Sequence, residues 1–407
     1  VTDVGAGRPV HAVLAGLLAV LLAGAGCGGE AGSGTEGRAG EDTARSGGTA
    51  VAGVPTDAAS LLPPMARTSL DADLSGLLFP GLNRAAWEPG GLTYPEDDPL
   101  ALARSRRFGP DSTTLTYRLK DGLRWSDGEP LTAEDVAFTY RMLAHRDAGL
   151  PLSHVTSRMD SVVARGDTAV TFHFARRYPA MLFDTGVGIL PEHVYGDVPP
   201  PEFMGLAGRA TGTATARGDS ALVVSGPFRL VEWSRGERVV LVRNAAGITA
   251  PRLDTLVFRI LPEETTRLAE LREGRLDLAQ LDSYRQAREL SGRDGVRILR
   301  MPRRAYDYIA WNPAGHPAFG DPRVREALSL AIDREEILAA LDMGDWAEPA
   351  AGPYGPLFPE LRVPADWARH DPDRARALLE EAGWSLSRDG EVRSRDGRPL
   401  RFELATQ

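Results

Sequence analysis

Alternation of apolar and polar positions marks the strands of this chain. Thr113–Leu119 puts Leu115, Tyr117 and Leu119 on one face, as a half-buried strand requires. Thr168–Phe174 does the same with Val170, Phe172 and Phe174, which leaves His173 on the opposite, solvated face. Thr49–Pro55 reads as a first strand ended by proline, and Phe228–Asn244 as a hairpin turning at "SRGE". Thr255–Leu261, Leu276–Leu281 and Asp307–Asn312 are further strands, the last closed by Asn312-Pro313. Near the end of the chain, Leu400, Phe402 and Leu404 share one face of another. "DGLRWSDGEPL" (Asp121–Leu131) reads as a turn, a short strand and a second turn.

Helices are announced by their caps. Thr132 precedes "AEDVAFTYRMLA" with Asp135 placed to bond back, and Val136, Tyr140 and Leu143 form one stripe. Glu263–Gly274 is helical and stops at its glycine. Asp321-Pro322 opens a helix whose apolar face is Val324, Leu328, Ala331 and Ile332. Asp333 with Glu336 starts another that ends near Leu341 and Gly344. Asp371-Pro372 repeats the device; Leu378 and Leu379 pack and Gly383 stops it. Strands and helices alternate irregularly, without a fixed repeat, so the fold class is mixed α/β.

One apolar stretch fits neither pattern. Ala12–Gly26 is shorter than the ~20 residues a spanning helix needs, and it follows a leader carrying Arg8. "GAGCGG" (Gly24–Gly29) satisfies G-x-G-x-x-G, but no strand precedes it and no helix follows to aim amides at a pyrophosphate. The stretch reads as a secretory signal. Small residues before Cys27 resemble a bacterial lipobox, although Gly24 stands where leucine is usual, with Leu22 further back. Cys27 is therefore the expected lipidation site and signal end, residues 1–27. Residues 28–47 are Gly-, Ser-, Thr- and Glu-rich and have almost nothing apolar to bury, so they form a flexible tether. The expected location is outside the cytoplasm, on a membrane, through a lipid.

Composition changes the picture in three ways. Four hundred and seven residues suffice for two or three domains, and 43% hydrophobic with 25% charged content is ordinary for a globular chain. With Cys27 consumed, no internal disulfide can form. A net charge of −9 argues against a nucleic-acid partner. Lys120 is the single lysine, so positive charge is nearly all arginine.

Catalytic chemistry is thin. Seven histidines are scattered without ligand spacing, so no metal site is expected. "GDSA" (Gly218–Ala221) only partly matches a nucleophile elbow, and no phosphate-binding glycine loop ends in Lys-Ser or Lys-Thr. The aromatic set Tyr306, Tyr308 and Trp311 is either core or the wall of a cleft; by strand period the tyrosines share a face and the tryptophan does not.

Five segments then occur in order: Thr116–Leu143, Ser225–Asn244, Leu256–Leu281, Asp321–Leu338 and Asp371–Trp384, with "GVPTDAASLLPP" ahead of them. Together they resemble the extracytoplasmic solute-binding proteins of peptide- and nickel-type ABC importers. The resemblance implies a periplasmic-binding-protein-like fold of two lobes joined by a hinge. Lobe I would be 48–85 and 168–283, with an accessory subdomain inserted at 86–167. Lobe II would begin at 284 and be incomplete at 407, because family members continue beyond "RFELATQ". The family's acidic anchor for a peptide amine belongs to that later part. The chain would be a fragment or a truncated product.

The implied function is a non-catalytic, monomeric receptor that needs no cofactor, captures a peptide or similar small solute and hands it to ABC permease subunits. Implied ligand contacts are Thr68, Ser69, Ser225, Tyr306, Tyr308, Trp311 and Asn312. The alternatives are a lipid-anchored hydrolase, or the same fold taking a metal chelate, an opine or an oligosaccharide.

Overall fold

The computed structural model describes residues 46–88, 91–206, 222–281, 283–300, 306–344, 346–350, 352, 369–386 and 390–404. Cys27, the apolar leader, the tether up to residue 45 and "GDSA" lie outside them. The chain divides into two units between Asp282 and Ser283.

The first unit begins with β1 (Thr49–Val54), followed by α1 (Ser69–Leu78), β2 (Ala86–Glu88) and β3 (Gly91–Thr93). Next come β4 (Ala103–Phe108), β5 (Thr114–Leu119), α2 (Ala133–Ala144), β6 (Met159–Ala164) and β7 (Ala169–Phe174). Two short helices, α3 (Met181–Asp184) and α4 (Glu192–Tyr195), precede the hairpin of β8 (Phe228–Ser234) and β9 (Arg238–Arg243). The unit closes with β10 (Thr255–Ile260), α5 (Glu264–Arg272) and β11 (Leu278–Ala279).

Five of these strands form one sheet in the order β11-β1-β10-β9-β8. β1 runs parallel to both β10 and β11, whereas β10, β9 and β8 are antiparallel neighbours. The alternation read in β10 is real: Leu256, Phe258 and Ile260 are buried. α1 packs against β8, with Leu70, Leu74, Leu77 and Leu78 buried.

A second, antiparallel sheet has the order β4-β5-β7-β6. Its inner face carries Leu115, Tyr117, Leu119, Val170, Phe172 and Phe174, all buried. α2 covers this face with Val136, Tyr140 and Leu143. The Phe172 ring stands nearly perpendicular to those of Tyr117 and Tyr140, at centroid distances of 5.9 and 4.8 Å. The sheet crosses the division expected at 167/168, since β7 pairs with β5 and β6 rather than with the five-stranded sheet. Both sheets also feed one continuous apolar core, from Ala52 through Phe172 to Ile260. The strand expected inside Asp121–Leu131 reduces to a single bridge between Arg124 and Pro130.

The second unit holds α6 (Tyr284–Leu290), α7 (Pro322–Leu330), α8 (Arg334–Ala340) and α9 (Pro372–Glu381). β12 (Ser385–Leu386), β13 (Arg393–Arg395) and β14 (Arg398–Pro399) form a small antiparallel sheet. α7 packs on α9 through Ala327, Ala375 and Leu378. A second cluster joins Ala318, Phe319, Val324, Ala382 and Trp384, with Trp311 and Leu400 against it.

Two expected strands here are corrected. Asp307–Asn312 takes part in no ladder among the described residues, and only Arg398–Pro399 of the final segment pairs. Alternation favours a strand only where neighbours complete its hydrogen bonds. Asp307–Asn312 finds none among the described residues, and the final segment is held only as far as Leu400, whose amide donates to the Arg393 carbonyl at 2.7 Å. The expected face of α7 also shifts: Val324 and Ala327 are buried, whereas Ala331 is exposed. Eight of the ten exposed large apolar side chains among the described residues belong to this unit, Phe402 and Leu404 included. No helix among the described residues is long and apolar enough to cross a membrane.

Candidate functional site

In the first unit the candidate residues sit at the two ends of α1. Thr68 is its N-cap, and the Thr68 Oγ1 accepts the Asp71 amide at 3.1 Å. Asp71 is fully buried and reciprocates by accepting the Thr68 and Arg67 amides at 3.0 and 2.9 Å. Its other oxygen accepts the Ala59 amide at 2.8 Å, which fixes the loop before the helix. The capping bond uses a lone pair of Thr68, so its hydroxyl proton remains free to point outward from an exposed residue. Ser69 follows, half-buried in the first turn.

Asp57 holds the same loop from the other side. Its carboxylate accepts the Trp233 indole N–H and the Gly236 amide, both at 2.9 Å, so the hairpin turn and the loop move together. The Arg235 guanidinium lies 3.5 Å from the centroid of the Trp233 ring and donates to the Ala58 carbonyl at 2.7 Å.

Ser225 is placed elsewhere. Its amide donates to the Leu78 carbonyl at 3.2 Å. Leu78 is the far end of a ten-residue helix that is about 15 Å long. The Gly226 amide donates to the same Leu78 carbonyl at 2.8 Å, and the Ser225 carbonyl accepts the Ile248 amide at 2.9 Å. The Ser225 hydroxyl is buried and has no hydrogen-bond partner among the described residues. Helix α1 therefore separates Ser225 from Thr68 and Ser69.

The W-S-D-G turn lies beside that buried end. Ser126 exchanges bonds with Val224, its amide donating to the Val224 carbonyl at 2.8 Å and its Oγ accepting the Val224 amide at 3.1 Å. Trp125 is fully buried, and His193 Nε2 stands 2.8 Å from the Asp127 carboxylate. These contacts tie the turn to α4 and to the segment before β8; the motif is structural.

In the second unit the four candidates separate into two kinds. Tyr306 and Tyr308 are exposed, at 46% and 73%, with their ring centroids 5.5 Å apart. Trp311 is half-buried, its ring against Phe319 at 5.5 Å and Phe402 at 6.1 Å, so it belongs to the small aromatic core. Asn312 Oδ1 accepts the Ala314 amide at 3.0 Å and closes a turn. The open tyrosine pair presents two rings and two hydroxyls; Trp311 and Asn312 hold the segment beneath it.

Sequence reasoning missed the buried polar groups that frame the first unit. Asn83 Nδ2 donates to the Tyr117 hydroxyl at 2.6 Å, and that hydroxyl lies 2.7 Å from Thr185 Oγ1. Burial pushes the Tyr117 hydroxyl up to about 12. The Tyr178 hydroxyl donates to Asp184 at 2.7 Å, and burial raises that carboxyl above its usual range. Arg267, fully buried, donates to the Gln280 carbonyl at 3.0 Å and to the carbonyls of Leu261 and Pro262. No local sequence signal announces these partners, because each lies on a different element. No group of three or more His, Cys, Asp or Glu residues among those described can hold a metal ion.

The chain is similar to several known proteins. Residues 100–407 match the family described as bacterial extracellular solute-binding proteins, family 5, middle region. The oligopeptide-binding protein AppA of Bacillus subtilis is 29% identical over 318 residues, which are 75% of this chain and 55% of AppA. The nickel-binding periplasmic protein of Escherichia coli is 25% identical over 323 residues, 75% of this chain and 56% of that protein. The chain thus spans about half the length of these curated relatives. The structure of Bacillus subtilis AppA in complex with a nonapeptide superposes with a TM-score of 0.66 at 24% identity, covering 88% of this chain and 68% of that one. That likeness is one of fold, a mixed α/β fold of the periplasmic-binding-protein kind. The chain belongs to the bacterial extracellular solute-binding proteins of family 5.

Proposed function

We propose that this chain is the solute-capturing component of an ABC importer, that its ligand is a peptide, and that it performs no chemistry on what it binds. The similarity to the oligopeptide-binding protein AppA carries this reading. The physical chemistry is compatible with it. Backbone amides and carbonyls recur in every peptide, so hydroxyls such as those of Thr68, Tyr306 and Tyr308 can bond them whatever the side chains. The exposed tyrosine pair adds ring surface for apolar residues. In this reading Cys27 carries a lipid, the chain works outside the cytoplasm as a monomer, and permease subunits receive the ligand.

The test is native mass spectrometry of the purified 407-residue chain mixed with a peptide library. Retained peptides of unchanged mass, with retention lowered by Tyr308→Ala, support the proposal. Steady cleavage of peptides, or no retention, overturns it. A second reading, a nickel complex, rests on the Escherichia coli relative and is tested by a parallel arm with nickel and histidine.

A further inference from the structure

The second unit contains a cavity of about 500 Å³ lined by Arg288, Arg297, Arg300, Val296, Ile298 and Trp346. This volume falls within the roughly 300–1,000 Å³ usual for small-molecule sites. We infer that the cavity is a binding site for an organic carboxylate with a flat apolar body, separate from the peptide site proposed above and independent of it.

Charge is the first argument. Residues 284–300 include five arginines against two acids, Glu289 and Asp294, in a chain whose net charge is −9. Asp342 offsets part of this excess by pairing with Arg285 and Arg288, and the positive charge that remains around the cavity repels itself unless an anion joins it. Two of the lining guanidiniums are held in place. Arg288 donates to the Asp342 carboxylate at 3.3 Å and to the Asp342 carbonyl at 3.1 Å. Arg300 lies over the Trp346 ring, 4.1 Å from its centroid, and Tyr284 meets the same indole at 5.5 Å. Arg297 is exposed and makes no ion pair with any described residue. The site therefore has two positioned cations and a third, Arg297, without an ion-pair partner among the described residues.

Shape is the second argument. Val296, Ile298 and the Trp346 ring give the cavity an apolar wall beside the guanidiniums. A bare inorganic anion would leave that wall and most of the volume unused. A carboxylate matches the two-pronged donor geometry of arginine, and a flat ring behind it covers the wall. This chemistry has two sources: a free aromatic acid, or the carboxyl end of a peptide with an aromatic last residue.

The experiment labels the chain with 5-fluorotryptophan and follows the Trp346 fluorine resonance, assigned with Trp346→Phe. The probes are 3-phenylpropionate, its amide, and Ala-Ala-Phe with a free or amidated end. The expected result is saturable movement of the Trp346 resonance by the free acids, with about ten-fold more of either amide required. Arg297→Gln should raise the half-saturating acid concentration about ten-fold, whereas Arg293→Gln, outside the cavity lining, should leave it unchanged. Tighter binding of phenylpropionate identifies a free acid as the source, and tighter binding of the tripeptide identifies a peptide end. Equal titration by acid and amide overturns the inference, as does an unaltered Arg297→Gln titration or a silent Trp346 resonance. A silent resonance in a chain that still retains library peptides removes this site and leaves the proposed peptide function standing.

Discussion

The Trp125 indole N–H points at the Asp135 carboxylate, 3.4 Å from the same Oδ2 that accepts the Thr132 amide at 2.8 Å. Asp135 Oδ1 takes the Glu192 amide at 2.8 Å, so one buried side chain joins the signature turn, the start of α2 and the start of α4. Asp135→Ala leaves three donors without that partner in a buried setting and should cost about 2–4 kcal/mol. Thr132→Ala removes only a cap bond and should cost about 1 kcal/mol. Urea unfolding followed by tryptophan fluorescence measures both; equal losses would refute the central role of Asp135.

Two glycines give a paired prediction. A Cβ on Gly226 would overlap the Leu77 carbonyl oxygen and stand 2.8 Å from the carbonyl carbons of Leu77 and Leu78. Those are backbone atoms in a helix end and cannot yield cheaply, so Gly226→Ala should lose about 3 kcal/mol or fail to fold. Gly76, on the open side of α1, has nothing within 4 Å of its added carbon. Gly76→Ala should stabilise by about 0.5–1 kcal/mol through helix propensity. Thermal unfolding of the two variants decides the matter.

Trp311 and Tyr308 should respond differently to truncation. Trp311→Ala removes a ring packed on Phe319 and Phe402 and should destabilise the second unit by about 2–3 kcal/mol. Tyr308 is 73% exposed, and Tyr308→Ala should change stability by less than about 0.5 kcal/mol. Amide exchange in α7 and α9 reads the difference. Faster exchange in both variants would mean that Tyr308 is also part of the packing.

Acid should loosen the second unit through its caps. Asp371 accepts the Arg374 amide at 3.0 Å, Asp333 the Glu336 amide at 2.9 Å, and Asp321 the Arg323 amide at 2.9 Å. Backbone amides hold the first two carboxyls below their usual range, and the Arg323 side chain holds the third. A carboxyl depressed in the folded state supports folding above its unfolded value, near 3.9, and loses that support as pH falls through its folded value. Protection of α7, α8 and α9 should therefore drop below about pH 4. Serine caps without titrating, so the triple variant Asp321→Ser, Asp333→Ser, Asp371→Ser should lose this part of the acid response. Identical acid profiles would remove the caps as its cause.

Cys27 is tested in cells. Labelled fatty acid should enter the wild-type chain, and Cys27→Ser should abolish incorporation. Equal labelling of both would refute lipidation at this residue.

Much of the fold was legible because its signals are local. The reciprocal Thr132–Asp135 box and the Asp-Pro helix starts each involve residues within one turn, and the structure forms them where the spacing expects. Alternation located β5, β7 and β10 because one face of each is buried. What local sequence cannot show is which partners meet. β7 joined the sheet of β4, β5 and β6, and Asp307–Asn312 found no partner among the described residues. The candidate site was less legible for the same reason. Thr68 and Ser225 look alike as small hydroxyl residues, yet one caps an exposed helix start and the other is buried at the far end of that helix.

The place of β1 in its sheet has a consequence in time. Its Val51 amide donates to the Asp277 carboxylate, 226 residues further along the chain. At a synthesis rate of roughly 5–20 residues per second, that partner follows Val51 by about 11–45 seconds. For most of that interval β1 has neither of its neighbours, and after β10 is made the edge that β11 will cover still stays open to wrong pairing. The five-stranded sheet is consequently a late event, closed by the last strand of its own unit. Until that strand arrives, the segment that begins the fold must be kept apart from other open edges, and any interruption of the chain before Leu278 leaves it so.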